Sequence, residues 1–220
     1  MKKVLITIAS LFVFALALTA VIPLMIANIK TTNLNTEYEY LKTTEGFADK
    51  AEVEGVELVK QHISCGYATI EMLSTYYGKT ITEDELSKKN NGGVSTSSTS
   101  GFLDELNRSI PSKTFVKETY LANDVLLKQI YNCLEKGKPV AIEWAAKYEN
   151  EWTLHFSIVT SLDIPNDNVT VYNPYGYIEN ISMKEFLSRT SFNAYEGMPL
   201  FLNYGFAFGA FDKNVIFYAR

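Results

Sequence analysis

The chain has 220 residues, 47% of them hydrophobic and 20% charged, which is enough length and apolar content for one domain with a real core. A formal net charge of -5 gives no electrostatic footprint for nucleic acid. Two cysteines, Cys65 and Cys133, are too few for a disulfide scaffold; a single bridge between them stays open, and it would silence Cys65. The 14 Tyr, 13 Phe and 2 Trp favour strands and a buried core, and could also line a groove for a peptide-like ligand.

Met1-Lys2-Lys3 is followed by a run from Val4 to Ala27 without a charge. At helical rise that run exceeds the roughly 30 Å of a bilayer's hydrocarbon core. Ala15-Leu16-Ala17 and Ala17-Leu18-Thr19-Ala20 have the small-residue spacing of a cleavage site, but the apolar run continues past both. The expectation is an uncleaved signal anchor over residues 1–30, rather than a cleaved signal peptide that would leave a secreted protein. Lys2, Lys3 and the terminal amine precede the span and only Lys30 follows closely, which puts the N-terminus in the cytoplasm and the rest outside. No cysteine lies near this segment, so a lipoprotein anchor is excluded.

Residues 31–55 are polar and read as a stalk, leading to a domain over 56–220. Val56-Glu57-Leu58-Val59 alternates like a short strand. From Cys65 the apolar residues Ala68, Met72, Leu73 and Tyr76 recur at helical spacing, and Gly78 ends that helix. Thr82 caps a second helix with acids in its first turn. Asn90 to Ser100 is a Gly- and Ser/Thr-rich loop, a plain connection or a border of the site. Gly101 to Asn107 is helical and Thr114 to Val116 extended. Asn123 or Asp124 caps a helix to Glu135, whose apolar side carries Cys133 as a small hydrophobe. Strands follow at Val140–Trp144 and Thr153–Leu162, and a turn at 165–168 returns the chain through Val169–Tyr172. Ser182 to Leu187 is a short capped helix, and Phe201 to Phe208 and Val215 to Tyr218 read as closing strands. Helices first and an antiparallel sheet after them make an α+β fold.

Chemistry concentrates at Cys65. It stands at a helix start, where unpaired amides favour a thiolate, and the small Gly66 beside it would let a substrate approach. The base must be one of two histidines: His62 on the preceding loop, or His155 on a strand, where it would face the helix as half of a rigid pair. His155 is preferred. Asn173, past the end of the returning strand, is the candidate to hold the imidazole, with Asp163 and Asp167 nearer the turn. The side-chain amide of Gln61, with the Cys65 N–H, could hold an oxyanion. A metal site from Cys65, Cys133, His62 and His155 matches no zinc spacing, and neither metal nor cofactor is expected.

The order Gln61…Cys65-Gly66-Tyr67-Ala68, Tyr76-Tyr77-Gly78, Gly137-Lys138-Pro139-Val140, His155-Phe156-Ser157-Ile158-Val159, Tyr172-Asn173-Pro174 and Glu185-Phe186-Leu187 resembles the papain-like cysteine peptidases. The nearest branch is peptidase family thirty-nine, with the bacteriocin leader-processing peptidases. The resemblance implies helices packed on an antiparallel sheet, Cys65 as nucleophile, His155 as general base, Asn173 as orienter and Gln61 as oxyanion donor. Two departures stand out: the branch usually has Asp where Asn173 stands, and its glutamine usually lies further ahead of the cysteine. These 220 residues carry no transporter domain or ATP-binding cassette, so leader processing coupled to export is not expected.

The sequence thus points to a membrane-anchored, extracytoplasmic thiol hydrolase acting on peptide or protein substrates. Acyl transfer by the same Cys–His pair, and a catalytically silent peptide-binding domain, remain as alternatives. The abundance of Lys, Asn, Ile and Tyr suggests a low-GC Gram-positive bacterium.

Overall fold

The structure is a computed structural model that describes residues 2–220, with side chains from Thr7 onward. It opens on α1 (Lys2–Thr32), a mostly apolar helix whose large side chains from Ile8 to Ile22 are exposed and whose last turns, at Pro23, Ile26 and Ala27, rest on the protein. Such a helix has no single face to bury in a small core, and this one is long enough to cross a membrane. The terminal amine and the side chains of Lys2 and Lys3, on which the expected orientation rests, lie outside the described residues.

Residues 33–52 lie against the domain. Leu41 is fully buried in a short turn of 3-10 helix, and Thr36 and Tyr40 each hydrogen-bond Asp124 at 2.8 Å. Strand β1 (Ala51–Glu52) pairs with Ser161 and Leu162. Residues 56–59 join no ladder; Val56 is buried and Leu58 and Val59 pack half-buried on the core, so their alternation marked a partly buried segment and not a strand.

Four helices follow: α2 (Cys65–Tyr76), α3 (Glu83–Lys89), α4 (Thr99–Ser109) and, after strand β2 (Phe115–Glu118), α5 (Asn123–Glu135). Side-chain oxygens set three of the starts. Ser64 accepts from the Tyr67 N–H, Thr82 forms a capping box with Glu85, and Ser98 accepts from the Gly101 N–H. α5 begins without a side-chain cap, because Asn123 is already inside the helix and Ala122 takes the cap position.

The remainder builds the sheet: β3 (Val140–Tyr148), β4 (Glu151–Asp163), β5 (Asn168–Asn173), β6 (Tyr177–Ile181) and β7 (Val215–Ala219), with α6 (Met183–Thr190) and α7 (Leu200–Phe208) between β6 and β7. Every pairing is antiparallel, in the order β2-β7-β3-β4-β5-β6, with β1 against the far end of β4. The fold is α+β. Residues 201–208, expected as a strand, are helical. Pro199 stands at the cap position and Gly209 closes the helix in the left-handed region at φ 76°, and periodicity alone does not separate a short apolar helix from a strand.

Two faces of the sheet matter for the site. Glu143 and Phe156 are paired across β3–β4, and Phe156 stacks on Phe102 of α4 at 4.1 Å. Trp144 and His155 are the next pair, on the opposite face, where the Arg189 guanidinium of α6 lies 3.5 Å from the centre of the Trp144 ring.

Candidate active site

The loop before Cys65 is fixed by one buried carboxylate. Glu83 accepts the backbone N–H groups of His62 at 3.0 Å, Ile63 at 2.9 Å and Ser64 at 2.8 Å. Its own N–H donates to Glu71. Ser64 then turns from extended backbone into α2, and Cys65 becomes the first helical residue. Gly66 is required by packing: a Cβ there would come 2.2 Å from Oγ1 of the buried Thr96. The Ser/Thr-rich loop therefore covers the start of α2, and Gly66 makes room for that loop, where the sequence suggested room for a substrate.

β5 pairs with β4 only from Ile158 onward, so the β5-facing edge of β4 is free at His155 and Phe156. The Cys65 sulfur lies near that edge, close enough for the Phe156 backbone N–H, part of the peptide bond joining His155 to Phe156, to favour its charged form. Burial pushes the Cys65 thiol up to about 11, and Glu143 on the neighbouring strand adds to the rise. The N–H groups of Phe156, Gly66 and Cys65 itself pull the other way. The helix-start field expected to favour thiolate is present, but loss of water outweighs it.

His155 is almost fully buried, and burial takes its imidazole down to about 3, against the hydrogen bond it donates to Asn173, which favours the charged form. Its Nε2 lies 2.8 Å from Asn173 Oδ1. Asn173 Nδ2 donates to Glu179 Oε1 at 2.7 Å, and Oδ1 also accepts the Tyr175 N–H at 2.9 Å. A carboxylate can only accept, so the amide orientation is fixed and Nε2 must carry the imidazole proton. The other nitrogen, Nδ1, keeps its lone pair. Glu179 is in turn held by Arg189 at 2.6 and 3.2 Å, and Arg189 Nε donates to the Ala145 carbonyl. Tyr175 stacks on the imidazole at 4.0 Å and donates to or accepts from Thr153 Oγ1. Among the described residues, the imidazole's hydrogen bond is to Asn173, and the sulfur sits one peptide bond away.

Gln61 is tied to the same corner, its N–H donating to Pro174 O at 2.7 Å. Its Oε1 is buried without a hydrogen-bond partner. With Lys60, Tyr148, Glu151, Thr153 and Tyr175 it lines a cavity of about 330 Å³ beside the imidazole's stacking partner. An oxyanion role would use the Nε2 end of this amide, because only the NH2 group donates. His62 is elsewhere in chemistry: Glu83 lies 3.0 Å from its Nδ1 and Asp84 3.2 Å from its Nε2, and the Asp84 bond raises its pKa. Cys133 is a free thiol buried in the main core on α5, and Cys65 is also unbridged. Among the described residues no group of three or more His, Cys, Asp or Glu is placed to hold a metal.

The profile of the Peptidase_C39 like family matches residues 53–199, more than half of the chain and every element just described around the cleft. The chain belongs to the Peptidase_C39 like family. No curated protein matches this C39-like chain. Among solved structures it is similar to the peptidase domain of Streptococcus ComA, a bi-functional ABC transporter involved in quorum sensing, at 16% identity and TM-score 0.48, covering 75% of this chain and 98% of that one. It is also similar to a double glycine motif protease from an AMS/PCAT transporter in complex with the leader peptide, at 15% identity and TM-score 0.45, covering 77% of this chain and 93% of that one.

Several residues of the candidate site in this C39-like chain gave no sequence signal of their own. Glu83 reads as an ordinary first-turn acid until its burial is known. Glu179 and Arg189 lie on a weak edge strand and a short helix, with no spacing that announces their ion pair. Tyr175 could have been found: it follows Asn173-Pro174 directly, and a ring two residues past a turn into a site is well placed to cover it.

Proposed function

We propose that this protein is a cysteine peptidase anchored in a membrane by residues 1–30, joined by residues 31–55 to a peptidase domain over 56–220 on the extracytoplasmic side. Cys65 is the nucleophile, His155 the general base, Asn173 the orienting group and Gln61 the oxyanion donor. The observation that carries the reading is the hydrogen bond from His155 Nε2 to Asn173 Oδ1. It leaves Nδ1 free to take a proton in the corner where the Cys65 sulfur rests on the His155–Phe156 peptide bond.

The steps follow from those positions. The Cys65 thiol proton passes to His155 Nδ1 as the sulfur attacks the substrate carbonyl carbon and an S–C bond forms. The developing oxyanion is held by the Cys65 N–H and the Gln61 amide. One such donor contributes about 2.7–4 kcal/mol in related acyl-transfer chemistry. Collapse breaks the C–N bond, and Nδ1–H protonates the departing amine. Water, deprotonated by Nδ1, then releases the acyl group and restores the thiol. Because burial favours the neutral thiol and neutral imidazole, the proton moves during attack and not before it. The 330 Å³ cavity beside Gln61 and Tyr175 is the natural seat for substrate residues flanking the bond.

Anchoring is supported by α1, of which residues 7–32 are apolar enough to span a bilayer. The test uses the full chain in membranes with an electrophilic peptide probe and a peptide substrate pool. Cys65 is expected to be labelled in preference to Cys133, the labelling to fall in His155→Ala, and turnover to vanish in Cys65→Ala. Turnover that survives Cys65→Ala, or labelling of Cys65 indifferent to His155, refutes the assignment.

A further inference from the structure

Helix α7 is apolar on both sides, and only one side is used by the fold. Leu202 and Phe206 pack with Ala145 and Phe192 in a small second core. Leu200, Phe201 and Phe208 point outward at 62%, 66% and 73% exposure, more than any other large apolar side chain outside α1. Three such residues on one nine-residue helix exceed the scattered single exposures that a soluble surface normally shows.

Where this face lies is set by α1. Lys30 of α1 donates to the carbonyls of Phe206 at 3.2 Å and Ala207 at 2.9 Å, at the C-terminal, electronegative end of α7. Leu24, Ala27 and Asn28 of α1 share a crevice with Met198 and Asn203 at the other end of α7. The last turns of α1 therefore pack against α7. Lys213, just past α7, donates to Thr31 and closes the joint. On the stretch of α1 that packs against α7, Met25 and Ile29 are exposed as well.

About 20 residues fill the hydrocarbon core, so a span counted from Val4 is used up near Pro23. Leu24 to Lys30 then stand in the headgroup zone, and that is the stretch to which α7 is fixed. We propose that α7 is an interfacial helix: Leu200, Phe201 and Phe208 insert at the headgroup–acyl boundary beside the end of α1, so the peptidase domain is seated on the bilayer. This inference rests on the anchoring reading above. An apolar face buried about 5–10 Å into that boundary is the ordinary depth for such helices. The consequence is positional. The inner side of α7 packs on Ala145, whose strand neighbour Trp144 is paired with His155, so the seat holds the candidate cleft at a fixed height above the lipid and suits it to peptides presented at the membrane surface.

The test is fluorescence quenching in the full chain reconstituted into phosphatidylcholine vesicles with brominated acyl chains, the Trp144 and Trp152 signal of the parent being subtracted. Phe201→Trp and Phe208→Trp are each expected to lose most of their added emission, while Tyr177→Trp, on an exposed edge strand, keeps its own. A Leu200→Glu/Phe201→Glu pair in the Phe208→Trp background is expected to relieve the quenching while the protein still floats with vesicles. Flotation without quenching at positions 201 and 208 overturns the seat and leaves the anchor standing. Loss of flotation by the parent overturns the anchor and the seat together. A blue-shifted, unquenched reporter whose shift grows with protein concentration assigns the face to a second copy of the chain and also overturns the proposal.

Discussion

Asn173 offers its carbonyl oxygen to His155 at 2.8 Å because Glu179 occupies the nitrogen end of the same amide at 2.7 Å. This explains why an amide stands where the peptidase family resembled by the sequence usually has Asp. A carboxylate at 173 would face the Glu179 carboxylate at hydrogen-bond distance, and two such groups do not both ionise cheaply. Asn173→Asp is expected to lower the rate of Cys65 inactivation by an electrophilic peptide on the order of tenfold, a cost near 1.4 kcal/mol. Glu179→Gln added to it is expected to recover much of that loss, with a coupling of roughly 0.5–3 kcal/mol in the double-mutant cycle. Additive losses would show that the two residues do not act through one amide.

The titration of two buried groups gives opposite slopes to stability. His155 falls to about 3 from the usual 6.5, so between those values the unfolded chain binds the extra proton and stability is lost as pH drops. Glu143, buried with Oε2 unpartnered, rises to about 8, chiefly through burial. Its folded form holds the proton that the unfolded chain has released, so stability is lost as pH climbs from about 4.5 to about 8. Melting curves across pH 4–8 are the measurement. Glu143→Gln should flatten the alkaline decline and gain a few degrees at pH 8, about 2–4 °C for each kcal/mol in a chain of this size. His155→Gln should flatten the acid side only. Unchanged slopes in both variants would contradict these assignments.

Much of this arrangement was legible in the chain itself. That His155 meets Asn173 was readable because both lie on strands whose pattern is strong, and that Cys65 opens a helix was readable from the spacing after it. The turn at 165–168 fixed the strand return that brings residues 155 and 173 to one end. What was not legible depended on burial and on faces. Nothing in Glu83 distinguishes it from Asp84 beside it, although one is fully buried and the other exposed. The 201–208 helix was misread because an apolar run without alternation carries no period. The thiol's direction of titration was misread because a helix start is visible in sequence and desolvation is not.

Gly66 and Thr96 make a third test. A methyl at Gly66 would stand 2.5 Å from Thr96 Cβ as well as 2.2 Å from its hydroxyl, and Thr96 is buried, so neither side yields easily. Gly66→Ala is expected to destabilise by about 1–3 kcal/mol, the usual penalty for overpacking. Thr96→Gly removes the whole obstacle, including Cβ, and should suppress the defect when combined with it. Urea unfolding of the two single variants and the double variant decides the matter: equal losses in Gly66→Ala with and without Thr96→Gly would mean the contact is not the cause.

Glu83 supplies the fourth. Its carboxylate holds His62, Ile63 and Ser64 by their N–H groups, and with Ser64 it sets where α2 begins and so where Cys65 points. Glu83→Ala leaves these donors without an acceptor in a loop whose anchor is fully buried. Hydrogen bonds to a charged group contribute about 1.5–3 kcal/mol each, and they are not additive, so a loss of about 3 kcal/mol or more is expected. Glu83→Gln keeps one acceptor oxygen and the side-chain volume, and should retain part of the stability. The informative readout is local. Hydrogen exchange at Ile63 and Ser64 should accelerate in Glu83→Gln while exchange in β3 and β4 stays slow, and labelling of Cys65 should fall in parallel. If exchange accelerates at those two amides and Cys65 labelling is unchanged, the clamp is structural only and the sulfur is positioned by α2 and the Phe156 amide alone.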